Sequence, residues 1–270
     1  MQSFRGFTSE IFYCLVELQL LKTIILGIIQ GITEFLPISS SGHLVIFGEY
    51  LNVSVPGNTM EVMLHIGTVF SILVCFWPKV WLIIQDFFGI FTKKSENHFN
   101  TKTNPVLLLI IASIPAVITG LLLDNYFEQL FDSVFHVGVA LIVTGLVLFY
   151  STKVKLGNRE LKDLTAKDAL FIGIFQSLAV IPGISRSGMS ITAGFKKKLN
   201  RKTAAEWSFL MSLPITAGAG LLKIPAMLSD SSIVIAELIV GIIASFIFGI
   251  IAIKVLMKVI QSDKWKYFSY

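Results

Sequence analysis

The sequence predicts an all-α, polytopic membrane helical bundle with two inverted-topology repeats, each containing a re-entrant helix hairpin. Three observations support this fold class. The chain of 270 residues is 54% hydrophobic and only 14% charged, with a mean hydropathy of +0.77. Its apolar runs have the length of helices and lack the short alternating pattern of barrel strands. A Gly- and Ser-rich pattern of 22 residues occurs twice.

The positive charge is concentrated in three loops, which accounts for the net charge of +5. Residues 78–104, 151–168 and 195–202 are rich in Lys and Arg, so we expect them to be cytoplasmic. Residues 50–60 and 124–133 carry no basic residue and are expected outside. No basic stretch is interleaved with aromatic residues as a nucleic-acid groove would require. The charge therefore indicates a membrane topology, with membrane lipids and no nucleic acid as partners.

The first half of the chain is predicted to hold one repeat behind an N-terminal extension of residues 1–19. The repeat covers residues 20–150 and begins with a hairpin at 20–51. Two short apolar runs flank "PISSSGH" there, and non-helical backbone survives at membrane depth only where protein or water satisfies it. Three full spans follow, at residues 60–77, 105–123 and 134–150.

The second repeat is predicted to cover residues 168–270. Its hairpin, at 168–195, brackets "PGISRSG" and enters from the opposite side because an odd number of spans separates the two hairpins. Two spans follow, at 203–222 and 233–260. A third span corresponding to 134–150 has no counterpart before Tyr270, so we expect the second repeat to be one span shorter.

The two hairpins are related by a gapless alignment of "GIIQGITEFLPISSSGHLVIFG" (27–48) with "GIFQSLAVIPGISRSGMSITAG" (173–194), in which eight positions are identical. The copies differ where chemistry would be expected. Glu34 is aligned with Val180, Ser40 with Arg186 and His43 with Met189. One copy therefore supplies a carboxylate, a hydroxyl and an imidazole, and the other a guanidinium. Broken helices of inverted repeats meet near the midplane, which predicts one composite site.

The segments "QGITEFLPISSSGH" (30–43) and "PGISRSGMSIT" (182–192) resemble the two signature motifs of the bacterial undecaprenyl-diphosphatases, the bacitracin-resistance family. The resemblance covers the chain from about residue 20 to its end. It implies a multi-pass enzyme of the bacterial cell membrane whose active site faces the extracytoplasmic side. This phosphoric anhydride hydrolase converts undecaprenyl diphosphate to undecaprenyl phosphate and inorganic phosphate. The reaction recycles the lipid carrier of peptidoglycan synthesis and confers bacitracin resistance, with Mg²⁺ or another divalent cation as cofactor.

The residues suit phosphoryl transfer, which needs neutralised phosphate oxygens and an aligned nucleophile. Arg186 can bind phosphate bidentately, and Glu34 with Gln30 can present oxygen ligands to Mg²⁺ from one helix face. His43 is the candidate acid or base. The resemblance makes Ser40 the candidate nucleophile, although attack by a metal-activated water is left open. The predicted catalytic set is Ser40, His43, Glu34 and Arg186, and the predicted phosphate-binding set is Arg186, Ser39, Ser41, Gly42, Ser185 and Ser187.

Several assignments keep an alternative. The serines other than Ser40 could instead bond to their own backbone. His65 is interpreted as a helix-packing or supporting histidine, and Gln176 as a structural counterpart of Gln30. The main alternative function is a polyprenyl-phosphate transporter or flippase, because inverted repeats with broken helices are typical of transporters. Association into a homodimer is possible.

Overall fold

A computed structural model describes the backbone of residues 2–53, 59–92, 97–131, 133–229 and 235–270. Within these ranges the regular structure is helical, apart from one bridge between Arg159 and Leu199. The all-α prediction is therefore confirmed. The helices are α1 (Gln2–Phe35), α2 (Ser40–Leu51), α3 (Thr59–Cys75), α4 (Trp77–Thr92), α5 (Pro105–Phe131), α6 (Val134–Thr152), α7 (Ala166–Ser177), α8 (Arg186–Lys196), α9 (Arg201–Ser229) and α10 (Ile235–Val259).

Several helices are long and apolar enough to cross a membrane, so the chain is a multi-pass membrane protein. In α5, α6 and α10 the qualifying segments are 105–122, 134–152 and 235–259, which match three of the predicted spans. The predicted span 60–77 corresponds to α3, which is followed by α4 after a bend of 92°. The predicted span 203–222 lies in α9, whose first half is buried inside the bundle.

Helix α1 contains the expected boundary between the N-terminal extension and the first repeat. It runs without interruption from Gln2 to Phe35, and the division at residue 20 stays a prediction. Its segment 17–35 has the length and hydropathy of a membrane span. The expected loops 50–60 and 124–133 lie partly outside the described residues. The re-entrant path of the first hairpin and the opposed orientation of the repeats stay predictions.

The two hairpin tips share the same capping contacts. Ser39 caps the N-terminus of α2 and accepts a hydrogen bond from the Gly42 N–H at 3.3 Å. Ser185 caps α8 in the same way, accepting from the Gly188 N–H at 3.1 Å. The paired hydroxyls also correspond: Ser39 and Ser41 are 3.2 Å apart, and Ser185 and Ser187 are 3.3 Å apart. The repeated residues therefore form repeated caps.

A glycine at the same position of each copy allows close helix packing. Helix α1 packs along α10, and α7 packs along α5. A Cβ atom on Gly27 would lie 2.6 Å from the carbonyl oxygen of Gly241, and one on Gly173 would lie 2.3 Å from that of Ala112. Helices in lipid associate through such small residues because their backbones can approach closely.

We expect Gly173→Ala to destabilise the protein by about 1–3 kcal/mol, because the new methyl group would meet backbone that cannot move aside. Gly138→Ala is the matched control, since a Cβ there meets no atom within 4 Å. That substitution should be neutral or slightly stabilising because alanine favours the helix. Thermal unfolding in detergent measures both. Equal melting temperatures for the two variants would contradict the close approach of α7 and α5.

The start of the second hairpin is held by a partly buried ion pair. Arg159 donates to the Asp168 carboxylate at 2.6 Å and to the Lys197 carbonyl at 2.7 Å, which ties the loop before α7 to the end of α8. Thr165 and Asp168 form a capping box at the start of α7. Burial disfavours the ionised Asp168, but hydrogen bonds from Arg159 and Thr165 outweigh it and hold its pKa below the usual value.

Candidate active site

The two hairpin tips touch, as the composite-site prediction requires. The Gly183 N–H donates to the Ser41 hydroxyl at 3.4 Å, and the Ser187 hydroxyl donates to the Leu36 carbonyl at 3.3 Å. Thr144 of α6 links to the second tip through the Gly183 carbonyl at 2.9 Å and the Ser185 N–H at 3.0 Å. Residues separated by about 150 positions are thus brought together by paired loop contacts.

Glu34 is the centre of the site formed where the tips meet. Its carboxylate forms an ion pair with Arg186 from the other hairpin. It also accepts the Ser40 hydroxyl at 2.5 Å and the Gln30 amide at 3.1 Å. The Glu34 residue is only 7% exposed. Because a buried carboxylate needs ion pairs and hydrogen bonds, these partners explain how Glu34 is accommodated inside the bundle.

Several of the predicted residues share a small polar cavity of about 150 Å³. Glu34 contacts both Ser40 and Arg186, and all three residues line the cavity. Its lining also includes three further predicted residues, Ser39, Ser41 and Ser185. The other six lining residues are Thr33, Glu61, His65, Ala179, Val180 and Ile184. The Arg186 guanidinium beside several serine hydroxyls suits an anionic ligand such as phosphate.

Two predicted phosphate-binding residues have other contacts. The Gly42 N–H donates to the Ser39 hydroxyl that caps α2, and the Ser187 hydroxyl donates to the Leu36 carbonyl. Neither residue lines the cavity. At the start of each of the helices α2 and α8, a backbone N–H already donates to the hydroxyl of the capping serine. The groups that face the cavity are therefore side-chain hydroxyls and the Arg186 guanidinium. Their predicted part in phosphate binding stays a prediction.

His65 and Glu61 join the site although sequence reasoning did not assign them to it. The His65 Nε2 atom lies 3.5 Å from the Glu34 carboxylate, and its Nδ1 atom is hydrogen-bonded to the Glu61 carbonyl at 2.8 Å. Both side chains line the cavity. The available signal was two titratable residues one helical turn apart in an otherwise apolar helix, which is rarely only structural in a membrane.

His43 lies next to a different cavity from Ser40. Its Nδ1 atom is hydrogen-bonded to the carbonyl of Ser39 at 2.8 Å, which holds the ring along the first turn of α2. The side chain lines a separate cavity of about 520 Å³ with Phe149 of α6 and the C-terminal Tyr270. The predicted proximity of His43 to the Glu34 cavity is therefore not seen, and its role in proton transfer stays a prediction.

Gln30 and Glu34 have the chemistry of a partial cation site. The Gln30 Oε1 atom is buried and has no hydrogen-bond partner in the structure, while its Nε2 atom faces Glu34. Among the described residues, no group of three His, Cys, Asp or Glu side chains converges as a metal cage would require. Mg²⁺ commonly uses one or two protein carboxylates and completes its shell with water and substrate phosphates, so Glu34 fits as one ligand. Gln30 could add its Oε1 atom only after its amide turned over, because its Nε2 atom faces Glu34 in the structure.

Gln176, the counterpart of Gln30, is also buried, but neither of its amide atoms has a hydrogen-bond partner among the described residues. In its copy Val180 stands where Glu34 stands in the first. The acidic half of the site is therefore formed by one hairpin only, which makes the site asymmetric.

Comparison with known proteins gives a consistent result along the chain. Residues 23–270 match the family described as "Bacitracin resistance protein BacA". The chain is 42% identical over 255 residues to the undecaprenyl-diphosphatase of Halothermothrix orenii, covering 94% of each protein. It is 42% identical over 263 residues to that of Methanosphaera stadtmanae, again with 94% of each covered. For Alkaliphilus metalliredigens the identity is 37% over 258 residues, with 92% and 93% covered. With both signature motifs meeting in one cavity and similarity over nearly its whole length, the chain belongs to the bacitracin resistance protein BacA family.

Proposed function

We propose that this chain is an integral membrane phosphatase that hydrolyses undecaprenyl diphosphate to undecaprenyl phosphate and inorganic phosphate. The proposal rests chiefly on one observation: a buried carboxylate, Glu34, joins the Ser40 hydroxyl to the Arg186 guanidinium inside a polar cavity. The curated relatives named undecaprenyl-diphosphatase support the substrate. Such an enzyme would recycle the lipid carrier of cell-wall synthesis and confer bacitracin resistance.

The residues have complementary roles in this reaction. Arg186 binds oxygens of the terminal phosphate and offsets their charge as it grows in the transition state. The Ser40 hydroxyl already donates to Glu34, so that carboxylate can take the proton while an oxygen nucleophile attacks phosphorus. The bond to the bridging oxygen then breaks, and polyprenyl phosphate leaves as an anion.

Two nucleophiles are compatible with this arrangement. Ser40 itself would form a phosphoserine that water then hydrolyses, whereas a water held by Glu34 would release phosphate directly. Trapping a labelled phosphoserine at residue 40 after rapid acid quench would identify the first route. His65, fixed by the Glu61 carbonyl with Nε2 toward Glu34, is placed to help orient the carboxylate in either route.

A divalent cation, most simply Mg²⁺, completes the proposal. Glu34 and Gln30 would hold it, and it would supply positive charge to the phosphate oxygens. The unpaired Gln30 Oε1 atom supports this assignment. A lipid flippase would require neither the cation nor the Ser40–Glu34 pair, and the relatives are named as hydrolases, so the flippase alternative is not favoured.

We further propose that the enzyme lies in the cell membrane with this cavity open to the extracytoplasmic side. The support is the distribution of Lys and Arg, which places the 151–168 and 195–202 loops in the cytoplasm. A site on the opposite side would accept substrate only from the cytoplasmic leaflet.

One assay tests these proposals together. Purified protein should release phosphate from farnesyl diphosphate and from its long-chain homologue, and a chelator should abolish release until Mg²⁺ is restored. Ser40→Ala should reduce turnover by about 10²–10⁴, whereas Ser113→Ala should not, because the Ser113 hydroxyl bonds only to the Leu109 carbonyl of its own helix at 2.8 Å.

The outcomes separate the parts of the proposal. Full activity of Ser40→Ala would exclude Ser40 as the nucleophile, and full activity with chelator would exclude the cation. In sealed right-side-out vesicles, farnesyl diphosphate added outside should be hydrolysed without permeabilisation. Hydrolysis only after permeabilisation would reverse the proposed orientation.

A further inference from the structure

A groove separate from the Glu34 cavity lies between α6 and the second hairpin, on the membrane-facing side of the bundle. Its volume is about 320 Å³, and its walls are apolar side chains of α6 and α7, namely Val143, Leu146, Val147 and Phe175. Leu146 is 63% exposed, so the groove opens laterally rather than into the bundle. None of its lining residues belongs to the Glu34 cavity.

Lys196 forms the charged end of this groove. Its ammonium group lies over two aromatic rings, 5.3 Å from the centroid of Tyr150 and 5.6 Å from that of Phe175. Among the described residues it forms no ion pair. Its neighbours are already engaged: Lys197 lies 3.8 Å from the Asp168 carboxylate, and Lys198 donates to the Lys155 carbonyl at 2.7 Å. The three donors of the Lys196 ammonium are therefore available to a ligand.

Thr192 adds a second polar group to the same groove. The residue is 1% exposed, and its hydroxyl has no hydrogen-bond partner among the residues that the structure describes. It lies one helical turn before Lys196 on α8 and also lines the groove. Burying an unpaired hydroxyl is unfavourable, and a ligand oxygen that reached it from the groove would satisfy it.

We propose that this groove binds one anionic glycerophospholipid. The phosphate would pair with Lys196, a glycerol-ester oxygen would accept the Thr192 hydroxyl, and an acyl chain would lie along Val143 and Val147. The expected depth of the groove in the membrane is consistent with this ligand. Tyr150 and Lys196 lie at the helix ends beside the polar 153–165 loop, where interfacial aromatic and basic residues meet headgroups. The site goes beyond the proposed hydrolysis and does not depend on it.

Native mass spectrometry of the delipidated full chain in detergent, titrated with dioleoyl-phosphatidylglycerol or dioleoyl-phosphatidylcholine, tests the proposal. We expect one phosphatidylglycerol to bind more tightly than any phosphatidylcholine. Lys196→Gln should weaken that binding about fivefold, the effect of one basic residue near an anionic lipid. Thr192→Val, which keeps the shape of the side chain, should also weaken it.

Lys153→Gln is the matched control. Lys153 also lies over an aromatic ring of α6, 4.7 Å from the Phe149 centroid, but it does not line the groove. The Lys153→Gln variant should bind phosphatidylglycerol as tightly as the unmodified chain does. Equal binding of the two lipids, or equal losses in Lys153→Gln and Lys196→Gln, would overturn the site. Displacement of phosphatidylglycerol by stoichiometric farnesyl phosphate would also overturn it, by assigning the groove to a prenyl phosphate. Phosphate release does not enter these measurements, so a failed hydrolysis assay would leave them intact.

Discussion

Glu34→Gln should reduce turnover by about 10²–10⁴, the range associated with loss of a positioned acid–base group. The amide can no longer take a proton from Ser40, and it leaves the Arg186 guanidinium without its counter-charge. Breaking a buried ion pair from one side costs about 3–5 kcal/mol of folding stability. Phosphate release per folded molecule and thermal unfolding, measured on one preparation, give both effects. The concentration of Mg²⁺ needed for half-maximal activity should also rise.

Glu206→Gln separates catalysis from stability in that experiment. Glu206 of α9 is another buried carboxylate with a cationic partner, Lys79 of α4, but it does not line the cavity. Its glutamine variant should lose stability while keeping its turnover per folded molecule. If both variants lost turnover in proportion to stability, Glu34 would be a structural residue. An unchanged Mg²⁺ titration in Glu34→Gln would remove Glu34 from the proposed cation site.

Arg186→Lys should also fail to support normal activity, with kcat/KM reduced by about 10²–10³, as for loss of a preorganised donor to the reacting oxygens. A lysine keeps the charge, but its ammonium is a point charge and cannot replace the planar fork that binds two phosphate oxygens. The lysine ammonium would also have to pair with Glu34 of the other hairpin in a geometry that differs from that of the guanidinium. Kinetics with farnesyl diphosphate measure the change.

Arg159→Lys is the control for the same chemical exchange elsewhere. Arg159 lies in the loop before α7 and does not line the cavity. It donates to the Asp168 carboxylate and to the Lys197 carbonyl. We expect its lysine variant to melt at a lower temperature and to retain kcat/KM. Near-normal kcat/KM in Arg186→Lys would show that bidentate binding by Arg186 is unnecessary.

Features that depend on neighbouring residues could be predicted from the sequence. Serine with a glycine three positions later specifies an N-cap, because the hydroxyl reaches an N–H of its own first turn. Ser39 and Ser185 both form this contact. Likewise, Glu34 and Arg186 in apolar surroundings pointed to functional roles, because charges inside a membrane are costly. The direct ion pair between them across the two tips was not predicted.

Helix α1 runs through the expected boundary near residue 20, since no Gly or Pro interrupts helix formation there, and the division into an extension and a repeat stays a prediction. Helix α9 carries Glu206 and several serines and was still predicted as a span. Its first half is buried by protein rather than exposed to lipid, which is why it tolerates those polar residues.

The sequence by itself determined the membrane class, the helical fold, the family and the two motifs, because hydropathy, composition and local capping depend on residues close in the chain. Only the tertiary structure decided which side chains share the cavity. His65 reaches Glu34 because α3 packs against α1 and α10 there, while His43 is held toward a different cavity by its bond to the Ser39 carbonyl. Contacts between distant helices depend on where the helices cross, and that is set by close approaches such as Gly27 on Gly241, which no local pattern specifies.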